Sequence, residues 1–368
     1  MFKRLQPALK IAMIKILQTI VITLLFNAQL SYASNDAVIL MYHHVSDTTP
    51  PVTSVTPETF EKHLSYLEDN HFNVLPLSTV LNYLVNDKSL PEKTVVFTFD
   101  DAYKSVFETA YPALKKRNWP FTVFVTTQYI DVKYHNFMSW QQLQEIERYG
   151  AEIGNHSHTH AHLIRHARNE TDAQWLKRVL AEINTAQTII GKHIQYPLPV
   201  FAYPYGEYTT QLQALLKKSA YYGIGQQSGA VGPFSNPYAL PRYPMAAGYD
   251  DMKNFAIKVN SKALPVTATY PANGVLPPLA EQTQLLLKLA NDDYSKKHLA
   301  CYASGQGRIQ THWHPDDHNE LSVIANENLK PGRTKFNCTA PSLSKNGVFY
   351  WYSFLWMKPE DNGEWYRE

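Results

Sequence analysis

The stretch VVFTFDDAY, residues 95–103, is an apolar run that ends in two adjacent carboxylates, Asp100 and Asp101. β-Branched and aromatic residues in one short unbroken run predict a strand that is covered on both faces, as in a parallel sheet. Two like charges at the end of a buried strand repel each other unless a cation or a proton compensates them. The stretch therefore predicts a buried strand that is followed either by a cation site or by an ordinary surface turn.

Strand-like and helix-like segments alternate from Ala37 to about Val266. Short apolar runs typical of strands occur at residues 37–42, 74–77, 95–99, 121–126, 151–154 and 200–203. Amphipathic runs typical of helices occur at residues 57–70, 80–84, 106–116, 140–149, 173–190 and 208–219. This repeated β/α pattern predicts a parallel sheet that is closed or nearly closed into a barrel, with its chemistry at the carboxyl ends of the strands.

The pattern changes after Pro265. Pro271, Pro277 and Pro278 indicate a linker. Short strand-like runs separated by turn residues follow at 284–289, 299–303, 309–312, 321–325, 335–339 and 348–356. Their spacing predicts a small C-terminal all-β sandwich of antiparallel strands. Two interpretations of this sandwich stay open, a carbohydrate-binding or docking module and a structural lid on the barrel.

The only two cysteines, Cys301 and Cys338, each fall inside one of these late runs. In an exported protein, two cysteines form a disulfide more often than a metal site or a nucleophile. We therefore expect a disulfide that joins the two sheets of the sandwich.

The first 33 residues have the layout of a secretory signal peptide. Basic residues precede an apolar stretch at 16–26, and Ser31-Tyr32-Ala33 places small residues around a cut after Ala33. An uncleaved membrane anchor is the alternative, but the apolar stretch is short for a span. No cysteine follows the cut, which argues against a lipoprotein. We predict an exported protein, periplasmic or extracellular, without a stable membrane span after cleavage.

The charge balance argues against a nucleic-acid partner. The chain has 34 Lys and Arg against 32 Asp and Glu, and removing the four basic residues of the signal peptide leaves 30 against 32. A nucleic-acid footprint needs a concentrated basic face, which is absent from the sequence. The predicted organisation is a signal peptide (1–33), a β/α domain (34–268), a linker (269–283) and a β-rich domain (284–368). No sequence feature indicates an oligomeric state.

Ligands for a cation beside Asp100 and Asp101 occur in GNHSHTHAH, residues 154–162. His156 and His160 are four residues apart, which places them on one face of a helical turn. Two neutral imidazoles and one carboxylate make a three-ligand site with open positions, the arrangement of a catalytic metal. An exposed histidine-rich turn is the alternative, and the Asp-Asp strand end favours the metal site.

Three motifs in this order resemble those of the polysaccharide deacetylases of carbohydrate esterase family 4. They are Thr98-Phe99-Asp100-Asp101, His156-Ser157-His158-Thr159-His160 and Phe201-Ala202-Tyr203-Pro204-Tyr205-Gly206. The resemblance covers residues 37–266 and implies an α/β fold, a distorted (β/α) barrel of the polysaccharide deacetylase type. The opening Met41-Tyr42-His43-His44 and the third motif look most like the deacetylases of biofilm poly-N-acetylglucosamine.

The resemblance implies a role for each matching residue. Asp101, His156 and His160 would hold a divalent metal, zinc with cobalt or nickel as alternatives, and Asp100 would be the general base. The backbone N–H of Tyr205 would stabilise the oxyanion together with the metal. We expect Ser157 to brace the histidine loop, and we expect His158 and His162 to be supporting or surface groups.

Two departures from the family pattern bear on these roles. The third motif lacks the arginine that many relatives carry. The family also usually ends its domain with Leu-x-Ile-His, whose histidine is the general acid, and no such segment occurs before the linker. Leu40-Met41-Tyr42-His43 has the same spacing at the opposite end of the domain. Because the first and last strands of a closed barrel are neighbours, we predict that His43 is the general acid.

We therefore predict a hydrolase of linear amides that removes N-acetyl groups from an N-acetylglucosamine polymer, with poly-β-1,6-N-acetylglucosamine favoured, and that releases acetate. Peptidoglycan or chitin oligomers are alternative substrates, and a non-catalytic polysaccharide-binding protein is the alternative of another class. A serine hydrolase is disfavoured because Gly-x-Ser-x-Gly is absent. The histidine-rich run 312–318 is interpreted as a solvated loop.

Overall fold

Buried strands alternate with amphipathic helices in the first two thirds of the described chain, which covers residues 33–86 and 88–367 of a computed structural model. The strands in chain order are β1 (Ala33–Ser34), β2 (Ala37–Tyr42), β3 (His44–Val45), β4 (Ser54–Val55), β5 (Asn73–Val74), β6 (Leu90–Pro91), β7 (Thr94–Phe99), β8 (Thr122–Val125), β9 (Glu152–Asn155), β10 (Val200–Ala202), β11 (Tyr222–Ile224) and β12 (Tyr243–Pro244). The helices are α1 (Pro57–Asp69), α2 (Leu77–Val85), α3 (Tyr111–Lys116), α4 (Thr127–Asp131), α5 (Trp140–Arg148), α6 (Asp172–His193), α7 (Thr210–Lys218) and α8 (Met252–Val259).

The main sheet is parallel throughout and strongly curled. Its strands follow the spatial order β11-β10-β9-β8-β7-β2-β12, and β5 pairs with β7 beside this path. The two ends of the sheet are linked through Leu240, whose N–H donates to Gly223 and whose carbonyl accepts from Gly225, each at 2.9 Å. The predicted distorted (β/α) barrel is confirmed.

The stretch 95–99 forms the centre of this sheet. All six residues of β7 are buried, and the strand pairs along its full length with β2, so that Tyr42 lies opposite Phe99. Because parallel strands in register end at the same edge, the residues that follow β2 and β7 meet at one mouth of the barrel. His43 and Asp100 are the first residues beyond those ends.

A second sheet occupies the C-terminal part of the chain. Its strands are β13 (Lys262–Ala263), β14 (Val266–Tyr270), β15 (Gln284–Leu289), β16 (Ala300–Ala303), β17 (Gly307–Trp313), β18 (Glu320–Ile324), β19 (Gly332–Pro341) and β20 (Phe349–Lys358). They follow the order β13-β20-β19-β16-β17-β18-β15-β14 and are antiparallel except for the β13–β20 pair. All six predicted runs are strands. β14 is an outer strand of the same sheet, and its last two residues fall in the predicted linker.

The second sheet folds over a core of its own. One half of β17 pairs with β16 and the other half pairs with β18, so the sheet divides into two layers at this strand. Buried leucines of β15 and β18 share one cluster with the aromatic side chains of β19 and β20. The predicted antiparallel all-β unit is confirmed in this form.

Cys301 and Cys338 are joined by a disulfide. They lie directly opposite each other on the neighbouring strands β16 and β19, with their Cα atoms 4.0 Å apart. Such close pairs occur at the non-hydrogen-bonded positions of an antiparallel ladder. The expectation of a bond between two sheets is therefore wrong, since this disulfide links adjacent strands within one layer.

The barrel and the second sheet share an apolar cluster. Leu355 and Met357 of β20 pack with Phe201 and Tyr203 of the barrel. A polar contact lies beside this cluster, where the Lys335 ammonium donates to the carbonyl of Gln226 at 2.7 Å.

The predicted signal peptide lies outside the described residues except for Ala33. Across residues 33–86 and 88–367, the structure contains no helix that is long and apolar enough to cross a membrane.

Candidate metal and catalytic site

Asp101, His156 and His160 converge at the mouth of the barrel. Asp101 follows β7, and both histidines lie in the loop after β9. Oδ1 of Asp101 is 3.6 Å from Nε2 of His156 and 3.5 Å from Nε2 of His160. One candidate ligand atom from each residue lies within 4.8 Å of the others.

Two of these ligand atoms are buried without a hydrogen-bond partner in the described part of the chain, Oδ1 of Asp101 and Nε2 of His156. The other ring nitrogen of His156, Nδ1, is 2.8 Å from the carbonyl of Ala202. Because a carbonyl only accepts, Nδ1 carries the proton and Nε2 presents its lone pair. Lone pairs that face a carboxylate in a buried site are costly without a cation. The donor set therefore fits a divalent metal.

The loops that carry these ligands adopt left-handed backbone at several residues. φ is 69° at Asp101, 68° at Ser157 and 60° at His160. Such conformations persist only where the surroundings hold them. The Ser157 hydroxyl accepts from the N–H of His160 at 2.9 Å, and the Asn155 side chain accepts from the N–H of Ser157 at 2.9 Å. The expected bracing by Ser157 is confirmed.

Glu182 of α6 is a further brace of the histidine loop that the sequence analysis missed. Its carboxylate accepts the backbone N–H groups of His158 and Thr159 at 3.2 and 3.0 Å. The His158 ring is bonded to the hydroxyl of Thr127 at 2.8 Å and lies outside the ligand cluster.

Asp100 is held by Arg242, which the sequence analysis also missed. The guanidinium donates one hydrogen bond to each carboxylate oxygen, at 2.7 and 2.8 Å, and both side chains are fully buried. Burial alone would raise the pKa of Asp100, but the charge of Arg242 holds that pKa well below its ordinary value. Arg242 also donates to the carbonyl of Gly225 and to the Thr98 hydroxyl. Asp100 is therefore ionised and fixed in orientation.

His43 lies beside Asp100. The N–H of Asp100 donates to the carbonyl of Tyr42 at 2.9 Å, which fixes the two strand ends side by side. The pKa of His160 is lowered to about 4, first by burial and then by the charges of His156 and, to a smaller extent, His43. His43 also contributes to the low pKa of Asp100, after Arg242 and His156. His44 is buried and stacks on Tyr103, with ring centroids 3.6 Å apart. Burial, and then the charge of His43, lowers the pKa of His44 to about 4.

Tyr205 packs against His160, the third candidate ligand. Its backbone is left-handed, with φ of 59°, and its ring centroid is 4.6 Å from that of His160. The ring of His162 stacks on Tyr205 and is bonded to the carboxylate of Glu207 at 2.8 Å. His162 thus lies outside the ligand cluster, beside the residue that is predicted to contribute the oxyanion N–H.

Three comparisons agree with this fold and site. A family model described as polysaccharide deacetylase matches residues 87–224. The poly-beta-1,6-N-acetyl-D-glucosamine N-deacetylase of Staphylococcus aureus (strain MRSA252) is 28% identical over 233 residues, which cover 58% of this chain and 80% of that protein.

Two solved structures have a similar fold. The structure of the Streptococcus pyogenes deacetylase PplD in complex with acetate superposes with a TM-score of 0.55 at 22% identity. The aligned region covers 61% of this chain and 98% of the PplD chain. IcaB from Ammonifex degensii has a TM-score of 0.55 at 22% identity, with 61% and 97% covered. The comparisons thus show a polysaccharide deacetylase domain over residues 87–224.

Proposed function

We propose that the chain is a metal-dependent N-deacetylase that removes acetyl groups from an N-acetylglucosamine polymer, with poly-β-1,6-N-acetylglucosamine as the favoured substrate. One observation carries the proposal. Within the described residues, Oδ1 of Asp101 and Nε2 of His156 have no hydrogen-bond partner, and they lie 3.6 Å apart beside His160. The buried Asp100 carboxylate, which Arg242 keeps ionised, is next to them. A metal ligand set and a separate charged carboxylate are the two parts that hydrolysis of an amide needs here.

Asp101, His156 and His160 would hold the metal, with zinc favoured and cobalt or nickel as alternatives. When bound, a divalent metal makes a water nucleophile available at neutral pH and polarises a carbonyl oxygen. Asp100 would accept the proton of the attacking water, because each of its oxygens keeps a second lone pair beside the Arg242 bond. His43 would donate a proton to the departing amine, and the N–H of Tyr205 would bind the oxyanion.

The substrate assignment rests on the relatives. A curated relative from Staphylococcus aureus bears the name of a poly-beta-1,6-N-acetyl-D-glucosamine N-deacetylase, and the aligned region covers 80% of it. A polymer of this kind lies outside the cytoplasm, which fits the predicted signal peptide and the disulfide. We therefore place the protein in the periplasm or outside the cell.

The test is acetate release by the purified protein from β-1,6-linked N-acetylglucosamine oligomers, chitin oligomers and acetylated peptidoglycan. We expect release from the β-1,6 oligomers, its loss after chelation, and its return with zinc, cobalt or nickel. Acetate release from chitin oligomers alone, or from peptidoglycan alone, would mean that this glycan is the substrate and that poly-β-1,6-N-acetylglucosamine is not. Full activity in metal-free protein would overturn the mechanism, and binding of every glycan without acetate release would support a polysaccharide-binding protein.

A further inference from the structure

We propose that Glu207 is a positioning residue that holds the Tyr205 turn against the candidate ligand His160. Glu207 is itself anchored by the second sheet and by the C-terminal segment, residues 359–367. The inference rests on the proposed function, because the geometry of Tyr205 matters to catalysis only in a deacetylase. It assigns a role beside the active site to Glu207, which directly follows the third motif, and to Arg333 and Tyr366, which are far from all three motifs in the sequence.

Glu207 is a buried carboxylate with partners from separate parts of the chain. Its side chain is fully buried. One carboxylate oxygen of Glu207 is hydrogen-bonded to Nδ1 of His162 at 2.8 Å. The other oxygen accepts a hydrogen bond from the Tyr366 hydroxyl at 2.6 Å. Arg333 of β19 donates to the same oxygen as Tyr366, at 3.4 Å. A buried charge of this kind is stable only when such partners stay in place.

A chain of ring contacts connects Glu207 to the candidate metal ligand His160. The His162 ring, bonded to Glu207, stacks on Tyr205 with centroids 3.8 Å apart and planes 7° apart. The Tyr205 ring then meets His160 edge to face at 4.6 Å. The left-handed backbone of Tyr205 needs such external support.

Both anchors from the C-terminal part of the chain are themselves fixed. The Arg165 guanidinium donates to the carbonyl of Tyr366 at 3.1 Å and lies over its ring at 4.8 Å. The guanidinium of Arg333 lies over the Tyr205 ring at 5.5 Å. The C-terminal segment and β19 therefore reach the same turn from two directions.

The experiment compares Glu207→Gln and Tyr366→Phe in the full chain, with the metal restored. Tyr366→Phe keeps the ring that Arg165 covers and removes only the hydroxyl that bonds to Glu207. The matched control is Tyr294→Phe, which removes a buried hydroxyl bonded to the carbonyl of Ala290 at 3.2 Å within the second sheet. The first readouts are kcat and KM per folded, metal-loaded molecule. The second is the NMR chemical shifts of the His162 ring protons, which the ring current of the stacked Tyr205 changes.

We expect both variants to lower kcat by about 10- to 100-fold with KM within about twofold, because small misplacements of catalytic groups cost that much. The His162 ring shifts should move toward those of an unstacked imidazole, and Tyr294→Phe should match the unaltered protein. Unchanged kcat in folded Tyr366→Phe, or unchanged His162 shifts in both variants, would overturn the proposal. Absence of acetate release by the unaltered protein would overturn the proposed function, while the NMR readout would still test the contact network.

Discussion

At the residue scale, the site separates two adjacent carboxylates into different surroundings. Oδ1 of Asp101 faces the imidazoles of His156 and His160, whereas both oxygens of Asp100 are bonded to the Arg242 guanidinium. The backbone is left-handed at Asp101, with φ of 69°, at the point where the two side chains take different partners. The repulsion inferred from the sequence is thus relieved at Asp100 by the Arg242 guanidinium. At Asp101 the proposed divalent metal would relieve it.

This division predicts different losses for the two aspartates. Asp101→Asn should weaken metal binding, because an amide is a poorer ligand than a carboxylate. Asp100→Asn should retain the metal and lower kcat by about 10²- to 10⁴-fold, because it removes a base. Metal content and kcat, measured on the same preparations, check both variants. Equal loss of metal in the two variants would contradict the assignment.

His43 and His44 also provide a matched pair. We expect His43→Ala to keep the fold and the metal but to lower kcat by about 10²- to 10⁴-fold, because the departing amine needs a proton. His44→Ala should have a milder effect on kcat, since its ring packs on Tyr103. Thermal unfolding, metal content and kcat distinguish the two, and a larger kcat loss in His44→Ala would exchange their roles.

At the element scale, the sequence pattern predicts strands and ligands better than it predicts the partners of the site. The apolar run 95–99 and the histidine spacing of 154–162 are local signals, and each identifies its own strand end. Arg242 has no such signal, since it precedes a strand of only two residues, β12, that pairs with β2 across about 200 positions. Glu207 is likewise stabilised by residues more than a hundred positions away. Such partners depend on tertiary packing, which a local pattern does not encode.

The packing of α1 on α8 makes stability depend on pH. His63 is fully buried and its ring stacks on Phe255. Its two ring nitrogens are hydrogen-bonded to the Tyr42 hydroxyl and to the Asp250 carbonyl. Burial lowers its pKa from 6.5 to about 4. The unfolded chain therefore binds a proton between these values that the folded chain does not, so the stability present above pH 6.5 is lost as the pH falls toward 4.

The expected contribution of His63 is on the order of 3 kcal/mol across that window. Urea unfolding at pH 7 and pH 4.5, in the unaltered protein and in His63→Gln, measures it. The variant should show a smaller loss of stability on acidification, since glutamine does not titrate. Equal losses in the two proteins would show that other groups cause the pH dependence.

At the scale of the whole molecule, the second sheet behaves as part of the enzyme. It buries Leu355 and Met357 against the barrel and provides Arg333 to a carboxylate beside the site. Of the two interpretations open at the sequence level, these contacts favour the structural one. The sequence predicted the strands of this sheet correctly, but the apolar face of β20 that meets the barrel could not be distinguished from a face that covers its own core.

Deleting residues from 275 onward should therefore prevent folding. The truncation would expose the barrel surface under β20 and remove two partners of Glu207. Circular dichroism and thermal unfolding check it. Two leucine variants of the full chain make a matched pair. Leu355→Ser, at a buried leucine, should lower the free energy of unfolding by about 2–4 kcal/mol. Leu279→Ser should leave it nearly unchanged, because Leu279 is 73% exposed. A soluble truncated protein that unfolds cooperatively and deacetylates short oligomers would favour the binding-module interpretation.

The order of strands in the barrel has a consequence for folding during synthesis. β2 is the first strand of the sheet along the chain, yet it lies between β7 and β12. Its partners in those strands are 57 and 203 positions away. Contacts between positions so distant in the chain form slowly, because the intervening loop must close first. A nascent chain can thus pair β2 on one side early, but the other side stays open until residue 244 is available. The barrel therefore stays open over a long interval of synthesis, which would suit the export that we propose, since a chain crosses a translocation channel before it folds.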